Sequence, residues 1–156
     1  MPHLILVRHG QSEWNLEKRF TGWVDVDLTG NGKLEACKAG EYIKQEKFII
    51  DYFFCSFQLR AINTLKLIQD TLRDKREPIK AWQLNERHYG SLQGFVKCDV
   101  ENEIYGHDSQ MVKQWRRNWH AIPPVLDNDD PRWIEEIRKY GRHQEAGEKL
   151  DHCQTG

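Results

Sequence analysis

Short runs of apolar residues predict strands at three places along the chain. The four apolar residues at 4–7 form a sharply bounded run, which predicts a first strand buried on both faces. The aromatic and β-branched stretch 48–56 predicts a second buried strand, and the shorter stretch 78–84 predicts a third. Because helical patterns separate these runs, the chain is predicted to adopt an α/β fold.

The helical patterns lie between and after the predicted strands. One helix is expected over about 31–45, with Thr29 as its N-cap. Another is expected over 58–73, where apolar residues recur at steps of three and four. Charges and aromatic residues alternate from 100 to 119, and Gly106 divides that stretch into two predicted helical pieces.

The pattern becomes weaker toward the end of the chain. Trp115 and Trp119 are four residues apart and are predicted to share a core face of one helix. Apolar residues support a helical stretch near 133–137, but the charged sequence from 139 onward predicts poor order. We therefore predict a domain over 1–132 and a divergent, poorly ordered tail over 133–156.

Composition narrows the classes of partner. The chain has 156 residues, with 23 Lys and Arg against 24 Asp and Glu, so it lacks the bulk positive charge expected of a nucleic-acid-binding protein. Its four cysteines are far apart and lack the spacing of a zinc site, which predicts reduced thiols and no metal. No apolar run approaches the roughly 18 residues of a membrane helix, and the first predicted strand leaves no room for a signal peptide. These features predict a cytoplasmic protein with no membrane partner.

The candidate chemistry begins where the first predicted strand ends, at Arg8, His9 and Gly10. An imidazole nucleophile, a guanidinium and closely approaching backbone N–H groups at one point suit a phosphoryl group. The alternative is that Arg8 and His9 are polar residues where a strand meets solvent. Their place at the carboxyl end of a predicted buried strand, followed by glycine and serine, favours the functional interpretation.

Two further segments carry candidate site residues. Arg60 falls in the first turn of the helix predicted over 58–73, where the helix dipole disfavours a cation, so it is either an exposed surface charge or a phosphate ligand. Segment 85–94 places an acid, an arginine, an imidazole and a phenol in succession. This segment is either a solvated loop or part of the site, and Glu86 is our candidate for proton transfer.

Taken together, these motifs resemble the histidine phosphatase superfamily, and in particular its cofactor-dependent phosphoglycerate mutases. The resemblance rests on Arg8-His9-Gly10-Gln11-Ser12-Glu13-Trp14-Asn15, Phe20-Thr21-Gly22-Trp23, Leu59-Arg60-Ala61 with Thr64, Glu86-Arg87-His88-Tyr89-Gly90 through Gln93-Gly94, and Trp115-Arg116-Arg117. It implies a three-layer sandwich in which helices flank a mostly parallel central sheet.

The resemblance also implies roles for particular residues. His9 would be the phosphorylated nucleophile, Glu86 the proton donor and acceptor, and Arg8 and Arg60 catalytic cations. The substrate-binding set implied in this way is Arg8, His9, Gly10, Gln11, Ser12, Asn15, Thr21, Gly22, Arg60, Glu86, Arg87, His88, Tyr89, Lys97, Arg116 and Arg117. The implied reaction interconverts 2-phosphoglycerate and 3-phosphoglycerate, primed by 2,3-bisphosphoglycerate without a metal. The expected partners are small phosphorylated glycerates, and a homo-oligomer is left open.

The sequence departs from the family pattern at its end. Family members continue to a second His-Gly-Asn-Ser motif, and this sequence has none, so the fold is expected to be C-terminally incomplete. Three outcomes remain open: a mutase; a weak homologue acting as a phosphohydrolase or bisphosphoglycerate mutase because water reaches the phosphohistidine; or a non-catalytic binding subunit.

Overall fold

The computed structural model describes residues 3–104 and 109–141, with side chains over 3–102 and 110–141. Its contacts divide the chain into two compact units. The first unit contains residues 1–16 and 25–84, and the second contains residues 17–24 and 85–156. None of the helices in the described ranges is long and apolar enough to cross a membrane.

The first unit contains the helices predicted around residues 31–45 and 58–73. Its elements are α1 (Glu13–Leu16), α2 (Gly30–Gln45), β1 (Phe54–Cys55), α3 (Leu59–Leu72), β2 (Ile79–Lys80) and a 3₁₀ turn at Trp82–Leu84. Thr29 is the N-cap of α2, as predicted, because its hydroxyl accepts a hydrogen bond from the Gly32 amide at 3.0 Å. Both long helices are therefore confirmed.

Helices α2 and α3 pack closely against each other. A Cβ on Gly40 would lie 2.8 Å from Cβ of Thr71, so the glycine allows the two helices to approach at this point. Ile43 of α2 and Ile68 of α3 are buried. This contact fixes α3, which carries Arg60 and Thr64 at its N-terminal end.

The predicted second and third strands pair in parallel over a short length. Phe54 is opposite Ile79 and Cys55 is opposite Lys80. The Ile79 amide donates to the Phe53 carbonyl at 2.8 Å, and the Ala81 amide donates to the Cys55 carbonyl at 3.0 Å. The positions of these strands are confirmed, but each covers only two residues of its predicted stretch.

The predicted first strand is not formed. Residues 3–11 contain no strand, and Leu4 and Leu6 are 83% and 84% exposed. Burial on both faces requires paired neighbours and a layer on each side, and the described residues of the first unit supply neither to 4–7. The prediction of a doubly buried strand at 4–7 is therefore wrong.

The second unit is helical. Its elements are a 3₁₀ turn at Gly90–Leu92, α4 (Lys97–Asp99), a π-helical turn at Val100–Ile104, α5 (Ser109–Arg117) and α6 (Pro131–Tyr140). Phe20, Leu92, Val100, Val112 and Trp115 form its apolar core. The two helical pieces predicted over 100–119 are confirmed, while Gly106 lies outside the described residues.

Two predictions near the end of the chain have different outcomes. Trp115 is buried as predicted, but Trp119 is 71% exposed because α5 ends at Arg117 and does not carry it on the same helical face. Helix α6, with Asp130 as its N-cap, contains the stretch predicted near 133–137. The predicted disorder falls mostly on 142–156, which lies outside the described residues, and the division at 132 stays a prediction.

Candidate active site

His9 lies at the centre of the candidate site in the first unit, and its contacts assign its two ring nitrogens. Nδ1 lies 2.8 Å from the carbonyl oxygen of Gly10, which can only accept, so the ring proton is on Nδ1. Nε of Arg60 donates toward Nε2 of His9 at 3.4 Å, which requires a lone pair on Nε2. Both contacts agree on the same tautomer, and Nε2 is the nitrogen able to attack an electrophile.

Arg60 is fully buried, with 0% exposure. The sequence left open an exposed surface charge or a phosphate ligand, and the surface interpretation is wrong because the side chain folds back toward His9. Gln58, the N-cap of α3, makes no side-chain cap hydrogen bond, and the amide of Leu59, the first residue of the helix, donates instead to Oδ1 of Asp25 at 2.9 Å. A buried guanidinium next to an imidazole lone pair creates a local positive field suited to an anion.

A short chain of hydrogen bonds fixes the loop that carries His9. The Gly10 amide donates to Oγ1 of Thr64 at 3.1 Å, and this hydroxyl donates to the Arg60 carbonyl at 2.7 Å. A Cβ on Gly10 would lie 2.2 Å from the Gly32 carbonyl oxygen, so only glycine permits this approach to α2. The backbone next to His9 is therefore anchored on both long helices.

Three backbone N–H groups of the loop that follows His9 donate hydrogen bonds within the first unit. The Gly10 amide binds Thr64, the Gln11 amide donates to Oε2 of Glu35 at 2.8 Å, and the Ser12 amide donates to Oδ1 of Asn15 at 3.1 Å. These amides are therefore engaged within the unit, and their part in binding a phosphoryl group stays a prediction.

The other predicted residues of this loop have structural contacts. The Asn15 amide donates to Oγ of Ser12 at 3.2 Å, which completes a reciprocal cap on α1. Oε1 of Gln11 accepts from the Thr29 hydroxyl at 2.9 Å. Arg8 is exposed. Among the predicted residues of the first unit, the structure thus brings His9, Gly10 and Arg60 into direct contact through hydrogen bonds.

Glu86 lies in the second unit, on the turn that leads to the 3₁₀ helix at Gly90–Leu92. Its backbone carbonyl accepts a hydrogen bond from Nε1 of Trp23 at 2.7 Å. Trp23 is almost completely buried, so the indole fixes the backbone of Glu86 from the interior. No local sequence pattern indicated this contact, because the two residues are 63 positions apart.

Tyr89 reports the electrostatic surroundings of the same turn. Burial raises the pKa of its phenol, and the negative charge of Glu86 raises this pKa further. Arg87 and Arg116 act in the opposite direction and lower the pKa of Tyr89. Four predicted residues from two motifs, namely Glu86, Arg87, Tyr89 and Arg116, therefore share one electrostatic neighbourhood.

The remaining predicted cations of the second unit have the following contacts. Arg87 donates to the Ala121 carbonyl at 2.5 Å, and Arg116 pairs with Glu101 at 2.8 Å. Lys97 places its ammonium 5.8 Å from the centre of the Phe20 ring. Arg117 is exposed.

Thr21 and Gly22 are buried, and Gly22 lies beside Gln93. Gly22 has φ of +55°, and a Cβ there would lie 2.1 Å from Oε1 of Gln93. That oxygen accepts a hydrogen bond from the Trp23 amide at 2.6 Å. Gly22 is thus required by both its backbone conformation and the space that Gln93 occupies.

His88 differs from its neighbours because it points into the interior. It is 3% exposed, its Nδ1 accepts from the Gly90 amide at 2.8 Å, and its Nε2 lies 2.9 Å from Oε2 of Glu136. Both ring nitrogens are engaged within the unit, so His88 supports the turn, and the role of substrate ligand that the resemblance implied stays a prediction.

Sequence reasoning missed Gln93 and Glu136 as parts of this support. Nε2 of Gln93 donates to Oε1 of Glu136 at 3.0 Å, and both residues are buried. The available signal was spacing: Trp133, Glu136 and Tyr140 recur at steps of three and four, which places a glutamate in the stripe that faces the interior. In the described ranges, no group of His, Cys, Asp and Glu side chains is arranged to hold a metal ion.

Known proteins resemble the chain in sequence and fold. It is 70% identical over 131 residues to a protein of Pelagibacter ubique (strain HTCC1062) named 2,3-bisphosphoglycerate-dependent phosphoglycerate mutase, with 84% of this chain and 54% of that protein covered. It is 52% identical over 130 residues to a protein of the same name from Hamiltonella defensa, with 83% and 51% covered. The chain therefore spans about half the length of these curated relatives.

A solved structure and a family profile complete the comparison. The crystal structure of phosphoglycerate mutase from Thermus thermophilus superposes with a TM-score of 0.55 at 24% identity, covering 88% of this chain and 68% of that one. This likeness, together with the parallel pairing of β1 and β2, confirms the predicted α/β fold class with its parallel sheet. The profile of the histidine phosphatase superfamily (branch 1) matches residues 4–138, and the chain belongs to that superfamily.

Proposed function

We propose that the chain acts as a 2,3-bisphosphoglycerate-dependent phosphoglycerate mutase, with His9 as the residue that carries the phosphoryl group. The single observation that carries the proposal is the geometry of His9, whose Nδ1 proton faces Gly10 and whose Nε2 lone pair faces the buried Arg60. The names of relatives that are 70% and 52% identical support the same reaction.

The chemistry follows from these contacts. Nε2 of His9 attacks phosphorus, a nitrogen–phosphorus bond forms, and the bond from phosphorus to the donor oxygen breaks. The imidazole becomes positively charged during attack, and the Gly10 carbonyl, 2.8 Å from Nδ1, stabilises that charge through the existing hydrogen bond. Arg60 exchanges its long 3.4 Å contact with the imidazole for a hydrogen bond to a phosphoryl oxygen. Its positive charge stabilises the negatively charged oxygen more strongly than it stabilises a neutral ring.

Proton transfer to and from the substrate hydroxyl is assigned to Glu86. Arg87, Tyr89 and Arg116 belong to the same electrostatic neighbourhood and are proposed to bind the anionic substrate. The proposed set also contains Arg8, Thr21, Gly22, Lys97 and Arg117. His88, Ser12, Asn15, Gly10 and Gln11 are proposed to shape the site through the internal hydrogen bonds described above.

His9 and the cationic residues of the proposed set fit 2,3-bisphosphoglycerate as the phosphoryl donor that starts the cycle. When bound, 2,3-bisphosphoglycerate supplies the phosphoryl group that His9 receives at the start of the cycle. Guanidinium and ammonium groups neutralise phosphate without a metal ion, and a buried arginine next to the nucleophile suits this task. We propose 2-phosphoglycerate and 3-phosphoglycerate as substrates and the cytoplasm as the location.

The test is mass spectrometry of the purified chain after incubation with 2,3-bisphosphoglycerate, combined with a coupled assay for 2-phosphoglycerate formed from 3-phosphoglycerate. We expect one added phosphoryl group on His9 and measurable turnover, and we expect both to be lost in His9→Ala. Replacement of His3, an exposed histidine of the same unit, by alanine is the matched control and should change neither signal.

The other outcomes are informative. Phosphorylated His9 with release of inorganic phosphate and no 2-phosphoglycerate would replace the mutase with a phosphohydrolase. Absence of phosphohistidine in the wild-type chain would rule out a catalytic role for His9 and leave a binding function.

A further inference from the structure

Glu136 on α6 is a buried carboxylate outside the proposed catalytic set. It is 5% exposed, and each of its oxygens accepts one hydrogen bond. Oε2 lies 2.9 Å from Nε2 of His88, and Oε1 accepts from Nε2 of Gln93 at 3.0 Å. Burial of a carboxylate costs free energy unless hydrogen bonds compensate it. The two donors must therefore be held in place, and Glu136 marks a position where the geometry is fixed.

The first of these bonds decides the tautomer of His88. Nδ1 of His88 accepts from the Gly90 amide at 2.8 Å, so the ring proton is on Nε2 and points at Glu136. The hydrogen bond from the Gly90 amide to Nδ1 of His88 spans Tyr89 and so stabilises the turn there, where Gly90 has φ of +54°. Glu136 thereby stabilises the form of the imidazole that shapes the 86–90 turn.

The second bond connects Glu136 with Trp23. Oε1 of Gln93 accepts from the Trp23 amide at 2.6 Å while its Nε2 is held by Glu136. The indole of Trp23 packs edge-on against His88 at 5.5 Å, and its Nε1 donates to the Glu86 carbonyl at 2.7 Å. Two routes of hydrogen bonds and packing therefore lead from Glu136 to the backbone of Glu86.

We propose that Glu136 is a positioning residue, which holds the backbone of Glu86 and Tyr89 in place through His88, Gln93 and Trp23. The inference rests on the proposed function insofar as Glu86 is the group that transfers protons. It adds α6 to the parts of the chain that the reaction needs, although no residue of this helix is assigned to substrate.

The hydrogen bonds suggest a variant and its rescue. In Glu136→Gln, one of the two donors, either His88 or Gln93, meets an NH₂ group instead of an oxygen, so the network loses a bond. The double variant Glu136→Gln with Gln93→Glu restores every bond: residue 93 keeps an acceptor for Trp23 and gains one for the new amide, while the amide oxygen serves His88. The network also keeps a single negative charge.

Two readouts separate positioning from general loss of stability. One is the hydrogen-exchange rate of the Trp23 indole N–H, which reports its bond to Glu86, and the other is the pair of constants kcat and KM with 3-phosphoglycerate. Exchange of the Trp115 amide in α5, which lies in the core of the same unit, reports opening of that unit as a whole. Glu135→Gln, a change of the exposed neighbour on the same helix, is the matched control.

We expect Glu136→Gln to accelerate exchange of the Trp23 indole by at least about tenfold while exchange of the Trp115 amide is unchanged. We expect kcat to fall by about 10- to 100-fold with KM within about twofold, because misplacement of a catalytic group acts mainly on the transition state. The double variant Glu136→Gln with Gln93→Glu should restore both the indole exchange rate and kcat, and Glu135→Gln should alter neither.

Three results would overturn the inference: an effect of Glu136→Gln no larger than that of Glu135→Gln, a failure of the double variant to restore either readout, or equal acceleration of exchange at the Trp23 indole and the Trp115 amide. A wild-type chain without turnover would overturn the proposed function instead. The positioning of Glu86 would then be decided by indole exchange alone.

Discussion

Gly22 provides a strict test of the packing that supports the candidate site. Alanine at this position must adopt φ near +55°, which costs about 1–2 kcal/mol for a residue with a Cβ. The new methyl group would lie 2.1 Å from Oε1 of Gln93, so the Gln93 side chain must leave its place. The Trp23 amide would then lose its buried acceptor, at a further cost of about 1–3 kcal/mol.

We therefore expect Gly22→Ala to lower the free energy of unfolding by about 2–5 kcal/mol, a large fraction of the roughly 5–15 kcal/mol typical of a domain. For a chain of this size the corresponding fall in Tm is about 5–15 °C. Urea unfolding followed by tryptophan fluorescence measures the change directly. Gly30→Ala is the matched control, because a Cβ there meets nothing within 4 Å and the residue begins α2.

A double-mutant cycle separates the two contributions. In a Gln93→Ala background the steric conflict and the lost acceptor are already absent, so Gly22→Ala should cost only the backbone portion of about 1–2 kcal/mol. Gly30→Ala should be neutral or stabilise by up to about 1 kcal/mol. If the free energy of unfolding of Gly22→Ala lies within about 0.5 kcal/mol of the wild-type value, Gln93 does not occupy the position described and the reasoning fails.

Three further predictions concern the first unit. Arg60→Lys should lower kcat/KM by about 10²–10³-fold, because lysine lacks the planar guanidinium that binds two phosphate oxygens. Arg73→Lys, at the exposed end of α3, is the control and should leave kcat/KM unchanged. Equal kcat/KM values for the two variants would exclude Arg60 from the reaction. Asp27→Asn should reduce the loss of stability in acid. Hydrogen bonds from the Asn63 side chain and, second, from the Leu28 amide lower the pKa of Asp27 below 3.8. The stabilisation by the ionised Asp27 is therefore present above pH 3.8 and is lost as the pH falls through the lowered pKa. Urea midpoints at about pH 3 and pH 6 measure this, and an unchanged pH dependence in the variant contradicts it. Leu4→Ser and Leu6→Ser should each change the free energy of unfolding by less than about 0.5 kcal/mol, whereas a loss above about 2 kcal/mol would show that these side chains are buried.

The elements predicted well from sequence are those whose signals are local. Helix α2 follows from its apolar spacing and from Thr29, whose hydroxyl caps the helix within three residues. Helix α3 follows from the same period between 59 and 72. Neither prediction needed knowledge of a distant residue, and in each the structure agrees closely with the expected bounds.

The predictions that failed required a distant partner. The composition of 4–7 fits a buried strand, but burial depends on strands and layers contributed from elsewhere, and Leu4 and Leu6 remain exposed in the described unit. Trp119 fits a core face only if α5 continues to it, and α5 ends at Arg117. In α6 the helical stretch near 133–137 is formed, but the sequence could not show which of its faces is buried: Ile134 and Ile137 are more than 40% exposed, while Glu136 and Tyr140 are buried.

The same distinction explains what the sequence could predict of the candidate site. Motif spacing was enough to pair His9 with Arg60, 51 residues later, because the family pattern carries that tertiary information implicitly. It could not show that the N–H groups near His9 are used internally, since each is satisfied by a side chain from a different element. A polar residue in an apolar stripe, such as Glu136, is the kind of sequence signal that predicts such partnerships. Its burial must be matched by donors, and those donors, His88 and Gln93, belong to the segment that carries Glu86.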